Sequence, residues 1–257
     1  MRVIVTRPLE QAAEWVAMLR SHRIDAVALP LIAIGAPPDA EAVDKAWAML
    51  SGRQLVVFVS PNAAASFFAR APADGGWPAT ARAASPGPGT TRALLDFGVP
   101  AASIDAPADD AAQFDSEALW ERLRERSWQG ASVLVVRGSR GRDWLARRLV
   151  DAGATVDELA AYRRDTPVLR PTDRDLLTQA LAEPSEHVWL FSSSEAIERL
   201  AELAAPSTTG MTQWGSACAI ATHPRIAERA RAAGFGEVLE ARPTPTAVVA
   251  CIQSIRP

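Results

Sequence analysis

Three arginines, two glycines and a serine make up one short segment, Arg137–Arg142, which directly follows the apolar run Val133–Val136. Guanidinium groups bind carboxylates and phosphates through a planar fork of N–H donors. The segment lacks the Gly-Lys-Ser/Thr ending of a phosphate loop and the glycine spacing of a dinucleotide-binding turn. We expect it to bind an anion, through Arg137, Gly138, Ser139 and Arg142. A solvated basic turn is the alternative, because charged residues are common at loop tips.

Five further turns place polar residues where an apolar run gives way to a helical pattern. Helix N-termini carry unpaired N–H groups and a partial positive charge, which suit anions. Each turn taken alone is also explained by ordinary helix capping. Six such turns in one chain favour a site for a multiply charged anion. The candidate binding residues in these five turns are Thr6, Arg7, Ser60, Asn62, Thr90, Ser192, Ser193, His223 and Arg225.

Tyr162 is the candidate proton donor, because it is the only tyrosine of the chain and lies in the extended-looking segment Leu159–Arg164. A phenol is protonated at neutral pH and can donate a proton or a hydrogen bond. The alternative is a tyrosine that serves packing alone. The sequence shows neither a nucleophile elbow nor a Ser-His-Asp signature. An enzyme built on this chain is therefore expected to work by positioning its substrate, with at most one acid or base.

The composition narrows the classes of partner. The chain has 257 residues, is 48% hydrophobic and 22% charged, and carries a net charge of −3. This is globular composition, with no overall field that would attract nucleic acid or an anionic membrane. Lys45 is the only lysine, so a bound carboxylate would meet arginines or backbone amides.

Metal binding and export are not expected. Cys218 and Cys251 form no metal or redox motif, and the three histidines form no ligand cluster. The chain begins at Met1 with an apolar strand pattern rather than a signal peptide, and no apolar run approaches the roughly 18 residues of a membrane span. We therefore expect a cytoplasmic protein.

Short apolar runs alternate with helix-period segments, a pattern typical of parallel α/β folds. The predicted strands are Val3–Val5, Ala26–Leu29, Leu55–Val59, Val133–Val136, Val188–Phe191 and Ala217–Ala221. The predicted helices are Gln11–Arg20, Ala63–Phe68, Trp144–Asp151, Ala196–Leu203 and Arg225–Ala233.

The chain also contains an internal repeat. Four segments beginning near Val3, Val57, Gly87 and Phe114 recur in the same order, at a nearly constant offset, in the second half. The repeat predicts two similar α/β domains. One division cuts the chain near residue 128. In the other, the chain crosses between domains early and returns late, through the extended segments Val27–Ile34 and Leu159–Arg164.

Seven stretches of the chain carry a family resemblance: Val5–Pro8, Leu29–Ile32, Phe58–Ala63, Val135–Gly138 with Arg142, Val156–Arg163, Phe191–Ser193 and Pro243–Thr246. Taken together and in this order, they resemble the uroporphyrinogen-III synthase family over nearly the whole chain. Two turns depart from the family pattern. Ser192-Ser193-Ser194 stands where a proline is common, and Thr222-His223-Pro224-Arg225 stands where many relatives have Gly-Pro-Thr.

The resemblance implies an α/β fold of two similar domains, each a parallel sheet flanked by helices, joined by a two-stranded hinge. The expected domains are residues 1–33 with 168–257, and residues 37–158, with linker strands at 30–37 and 158–167. It also implies a monomeric lyase without metal or organic cofactor, which dehydrates and cyclises hydroxymethylbilane with inversion of ring D. Tyr162 would assist hydroxyl departure, while Ser60 and Thr90 would bind substrate.

Two other functions fit the same pattern. One is a cytosolic two-domain small-molecule binding protein without catalysis. The other is a two-domain nucleotide-sugar transferase, for which the chain is short and shows no obvious nucleotide site.

Overall fold

The computed structural model of the chain describes residues 1–73, 75–204 and 214–255. It divides into two units: Met1–Ala33 with Asp165–Pro257 form the first, and Ile34–Arg164 form the second. Among the described residues, no helix combines the length and the apolar character needed to cross a membrane.

The elements alternate between strand and helix along most of the chain. The strands are β1 Arg2–Val5, β2 Ala26–Ala28, β3 Ala33–Gly35, β4 Leu55–Phe58, β5 Arg82–Ala84, β6 Ile104–Asp105, β7 Ser132–Gly138, β8 Thr155–Asp165, β9 His187–Phe191, β10 Cys218–Ala221 and β11 Glu237–Glu240. The helices are α1 Leu9–Ser21, α2 Ala40–Ala48, α3 Pro61–Phe68, α4 Pro88–Asp96, α5 Ser116–Leu123, α6 Trp144–Asp151, α7 Pro171–Ala182, α8 Ser194–Leu203, α9 Pro224–Ala232 and α10 Pro245–Ser254.

The first unit is built on a five-stranded sheet in the order β11-β10-β9-β1-β2, and its strands pair in parallel. Val3 and Val5 pack with α1 and α10 on one face. Trp189 and Phe191 of β9 stack with each other and contact Trp214 and Phe235, respectively, outside that cluster. Both faces of the central strands are therefore covered. This is why these strands are continuous apolar runs in the sequence.

The second unit is built on a six-stranded sheet in the order β3-β8-β7-β4-β5-β6. Val56 and Phe58 of β4 belong to a core that also contains residues of α2, α3 and α4, which we call the α3 core. Leu55 and Val57 belong to a second core with residues of α5 and α6, which we call the α6 core. Alternate residues of one strand thus serve opposite faces, as the pleat requires.

The two sheets repeat one strand order. Strands β7, β4, β5 and β6 of the second unit stand in the order of β1, β9, β10 and β11 of the first. This agrees with the sequence repeat and with the predicted fold class. A division near residue 128 is wrong, because β7 pairs with β4 on one side and β8 on the other. The chain passes between the units within β3 and at the end of β8, and these two strands are neighbours. That they act as a hinge stays a prediction.

One strand boundary differs from expectation. The strand predicted at Val133–Val136 continues to Gly138, so Arg137 and Gly138 lie within β7 rather than on the turn after it. The physical reason is the neighbouring strand, since β8 is long enough to pair with β7 as far as Tyr162.

A buried carboxylate secures the short edge strand β6. Asp105 is 5% exposed and receives paired hydrogen bonds from Arg82 at 2.8 and 2.9 Å, and from Arg126 at 2.7 and 2.5 Å. Burial of Asp105 disfavours its charged form, but the bonds from the two arginines outweigh that effect and hold its pKa below the usual value. The ion pairs therefore tie β5 and the chain segment after α5 to the edge of the sheet.

We predict that Asp105→Asn lowers the free energy of unfolding by about 1–3 kcal/mol, because two guanidinium groups lose a charged partner while remaining partly in water. Urea denaturation measures this loss. The control is Asp96→Asn, which breaks an exposed pair with Arg92 and should cost about 0.5 kcal/mol or less.

The difference in the free energy of unfolding between wild type and Asp105→Asn should depend on pH, because the pKa of Asp105 is lowered in the folded protein. The stabilisation is complete above the ordinary carboxyl pKa of about 4 and is lost as the pH falls through the lower folded value. Wild type and Asp105→Asn should therefore differ most at neutral pH and converge in acid. A difference that grows on acidification would contradict this account.

Candidate functional site

In the first unit, the predicted binding residues gather at the carboxyl edge of three neighbouring strands. Thr6 and Arg7 follow β1, Ser192 and Ser193 follow β9, and His223 follows β10. Strand β1 leads through α1 to β2 on one side, while β9 leads through α8 to β10 on the other. Right-handed crossovers in opposite directions place these helices on opposite faces and open a crevice between β1 and β9.

Polar side chains at this edge hold the elements in place. The Thr6 hydroxyl, on a side chain 1% exposed, donates to the carbonyl oxygen of Leu190 at 2.8 Å. Ser193 caps α8 by accepting the N–H of Glu195 at 3.3 Å. His223 caps α9, because its Nδ1 accepts the N–H of Arg225 at 3.1 Å. A neutral His223 ring with this bond carries its proton on Nε2.

Arg7 is the unusual cation of this edge. Its guanidinium lies 4.5 Å from the centre of the Trp15 ring, and Nη1 makes a long contact of 3.5 Å with the Gln11 amide oxygen. Its Nε is buried and meets no acceptor among the described residues. Burial lowers the pKa of Arg7 to about 10, against the opposing effect of Glu14, so the side chain is still cationic at neutral pH. A buried N–H donor on a cation is normally paired, whereas Nε of Arg7 has no partner in the described part of the chain.

In the second unit, β4 and β7 form the equivalent crevice. Helix α3 follows β4 and packs in the α3 core, whereas α6 follows β7 and packs in the α6 core. The predicted residues at this edge are Ser60 and Asn62 after β4, Thr90 in α4, Arg137 and Gly138 in β7, and Ser139 and Arg142 after it. Thr90 is buried in the helix that follows β5.

Both predicted arginines of this edge are already paired with carboxylates. Arg137 forms an ion pair with Glu158 of β8 and donates to the Gly141 carbonyl oxygen at 2.5 Å. Arg142 holds Glu117 of α5 through two bonds of 2.6 and 3.1 Å. The bonds to Glu117 raise the pKa of Arg142, against the effect of burial. An incoming anion would have to compete with these glutamates.

Sequence reasoning left out the arginine between them. Arg140 is exposed and forms no ion pair with the residues that the structure describes. Its position in the sequence between Arg137 and Arg142, both of them candidate binding residues, was the signal that could have identified it.

Tyr162 lies within the α3 core, 1% exposed. Its hydroxyl is 3.1 Å from Ser60 Oγ, and Arg164 Nη2 makes a longer contact of 3.5 Å with the same oxygen. The ring lies against Gly138, where a Cβ atom would come within 2.9 Å of Tyr162 Cζ. Three residues, Ser60, Gly138 and Arg164, thus surround one phenol. Sequence reasoning singled out Tyr162 but missed Arg164.

The remaining chemistry of the described residues is limited. No three histidine, cysteine, aspartate or glutamate side chains come together there as a metal site would need. Cys218 and Cys251 are both free, and burial, helped by Glu237, raises the pKa of Cys218 to about 12. Cys218 is therefore protonated at neutral pH and is not a nucleophile.

Comparison with known proteins gives one consistent result. A family model described as Uroporphyrinogen-III synthase HemD matches residues 13–250. Uroporphyrinogen-III synthase of Salmonella typhimurium is 30% identical over 165 residues, which cover 64% of this chain. The match spans 65% of the length of that curated relative.

Solved structures share the fold. A mutant uroporphyrinogen III synthase from Thermus thermophilus gives a TM-score of 0.60 at 17% identity, covering 98% of this chain and 97% of the other. Uroporphyrinogen-III synthetase from Helicobacter pylori gives a TM-score of 0.60 at 15% identity, with both chains covered in full. At such identities the likeness concerns the fold.

We predict that Thr6→Val lowers the free energy of unfolding by about 1 kcal/mol, because it removes the buried hydroxyl that bonds Leu190 and keeps the side-chain shape. Urea denaturation measures the change. Thr6→Ser is the matched control, since it keeps the donor and loses a methyl group instead. If Thr6→Val proved as stable as wild type, the hydroxyl would not hold β1 to β9.

Proposed function

The chain belongs to the uroporphyrinogen-III synthase family, and on that premise we propose that it converts hydroxymethylbilane to uroporphyrinogen III. It is an enzyme of tetrapyrrole synthesis, and we assign it to the carbon–oxygen lyases. The reaction removes the terminal hydroxyl as water, inverts ring D and closes the macrocycle. The observation that carries the proposal is the family match, which leaves unmatched only short segments at the two ends of the chain.

The chemistry of the substrate agrees with the polar edges of the two sheets. The linear tetrapyrrole carries eight carboxylates, and the two carboxyl edges offer helix N-termini, hydroxyl groups and arginines. Such groups bind carboxylates without a metal. The substrate also closes spontaneously to the symmetric isomer, so the enzyme must hold one bent conformer and exclude the other closure.

We assign Tyr162 as the proton donor to the departing hydroxyl. Support comes from its position, because it is the chain's only tyrosine and its phenol is fixed by Ser60 and Gly138. We further propose that the enzyme is a cytoplasmic monomer that needs no metal or organic cofactor, and that β3 and β8 act as a hinge.

The isomer composition of the product tests the function. Catalytic amounts of protein are supplied with hydroxymethylbilane, the products are oxidised, and porphyrin isomers I and III are separated by chromatography. We expect isomer III to dominate over the spontaneous background. Isomer I alone, from folded protein, would reject the enzyme and favour the small-molecule binding protein.

Tyr162→Phe should lower the turnover number about 100-fold, the scale of a lost general acid, while the melting temperature changes little. The variant keeps the ring in the α3 core and removes only the hydroxyl. Steady-state formation of isomer III measures the effect. Unchanged turnover would remove Tyr162 from the mechanism.

Arg7 is proposed to bind a substrate carboxylate, because its buried Nε meets no acceptor among the described residues. Arg7→Gln should weaken binding of uroporphyrin III, a stable polycarboxylate, about tenfold or more, the scale of a lost charged hydrogen bond. Isothermal titration calorimetry measures the affinity. Arg20→Gln, in the last turn of α1, is the control and should bind as wild type. Equal affinities for all three proteins would rule out a carboxylate at Arg7.

A further inference from the structure

Strand β8 changes the face that it presents just before its end. Val156 packs against the α6 core, while Leu159 and Ala161 belong to the α3 core, as alternation along a strand requires. Tyr162 follows Ala161 directly and yet belongs to the α3 core as well. Two successive residues thus face the same side.

A shift in strand register accounts for this change. Arg137 of β7 pairs with Ala160, but the next residue, Gly138, pairs with Tyr162. Ala161 is the extra residue of a β-bulge, and bulges near functional sites re-aim side chains. Without the bulge, Tyr162 would point to the face of the α6 core. The irregularity therefore brings its phenol to the side of the sheet where Ser60 begins α3.

Gly138 makes room for the ring that the bulge delivers. A Cβ atom at Gly138 would lie 2.9 Å from Tyr162 Cζ and 3.2 Å from its hydroxyl oxygen. The backbone of Gly138 does not have a positive φ, so a side chain is excluded by the tyrosine and not by backbone conformation. Any larger residue at this position must displace the phenol.

Ser60 fixes the other side of the phenol. Its Oγ accepts the N–H of Ala63 at 3.1 Å and lies 3.1 Å from the Tyr162 hydroxyl oxygen. With one lone pair used by Ala63, the serine can still donate its own proton to Tyr162. Arg164 Nη2 can only donate to the same oxygen. When Ser60 and Arg164 both donate to the Tyr162 hydroxyl oxygen, the phenol proton forms no hydrogen bond to either of them.

We propose that Ser60 and Gly138 are positioning residues, which hold Tyr162 so that its phenol proton is free to reach the leaving hydroxyl of the substrate. This inference rests on the proposed function. The carbon–oxygen bond breaks with its electron pair moving to oxygen, and the phenol proton joins the departing hydroxyl to give water. The electrons of the adjacent pyrrole ring stabilise the positive charge left on the carbon. The proton released at ring closure returns to the tyrosinate, so the enzyme is unchanged.

Ser60 therefore acts through Tyr162 and not as a substrate ligand, which differs from the binding role expected for it from the sequence. The first unit repeats the strand order but holds no tyrosine, since the chain has one. The proton-donating arrangement accordingly belongs to the second unit alone.

A double-mutant cycle tests the coupling. Ser60→Ala should lower kcat about tenfold with KM within about twofold, because a fixed phenol and not substrate affinity is lost. In the Tyr162→Phe background, Ser60→Ala should cause no further loss of kcat. Ser60→Thr, which keeps the hydroxyl, should restore turnover. Additive losses, or a raised KM at unchanged kcat, would mean that Ser60 binds substrate directly, and would overturn the proposal.

Asp39→Ala separates capping from positioning. Asp39 caps α2 of the same unit by accepting the N–H of Ala42 at 3.0 Å, as Ser60 caps α3. Both substitutions should lower the melting temperature, but Asp39→Ala should keep wild-type kcat. Equal losses of kcat in the two variants would assign the effect of Ser60→Ala to stability alone and reject positioning.

A spectroscopic measurement reports the environment of the Tyr162 phenol independently of catalysis. Labelling with 3-fluorotyrosine gives one ¹⁹F resonance, because the chain has one tyrosine. The resonance should move in Ser60→Ala and Gly138→Ala and stay in place in Asp39→Ala. An unmoved resonance in Ser60→Ala and Gly138→Ala overturns positioning even where the wild type makes isomer III. Isomer I alone from the wild type instead rejects the proposed function, and the catalytic role of this arrangement with it.

Discussion

The burial of the central strands on both faces is the constraint on which the rest of each unit depends. Leu55, Val56, Val57 and Phe58 are all buried, so helices must cover β4 from both sides. Right-handed crossovers meet this demand only if the chain winds outward in both directions from the middle of the sheet. A crevice at the carboxyl ends of the central strands follows from that winding. The candidate site residues of each unit lie at this edge because burial of the central strands on both faces fixes the positions of the helices, and with them the position of the crevice.

The two edges differ in how their charges are balanced. In the second unit Arg137 and Arg142 form ion pairs with glutamates, so their positive charges are already neutralised within the fold. In the first unit Arg7 is half-buried, and its buried Nε has no partner among the described residues. A cation that lacks a partner within the protein is better placed to gain free energy from a ligand carboxylate than one that must give up an ion pair. The edge of the first unit has fewer arginines in its turns, yet it holds the more available donor, because Nε of Arg7 has no acceptor among the described residues.

Much of the fold could be predicted from the sequence, because short β-branched and apolar runs decide where buried strands form. The predicted strands at Val3–Val5 and Val188–Phe191 and the helix at Trp144–Asp151 are all present. The ion pairs of Arg137 and Arg142 could not be predicted, since Glu158 and Glu117 reach them only through tertiary packing. The contact of Tyr162 with Ser60 depends on a one-residue shift in strand register, which leaves no signal in the hydrophobic pattern.

The measurement that tests the central claim most directly follows the carbon–oxygen bond itself. Hydroxymethylbilane carrying ¹⁸O in its hydroxymethyl group is mixed with excess enzyme, quenched at short times and analysed by mass spectrometry. We expect loss of the label to keep pace with formation of isomer III, and both rates to rise with enzyme concentration until the substrate is fully bound. Loss of the label at the uncatalysed rate, whatever the enzyme concentration, would contradict it.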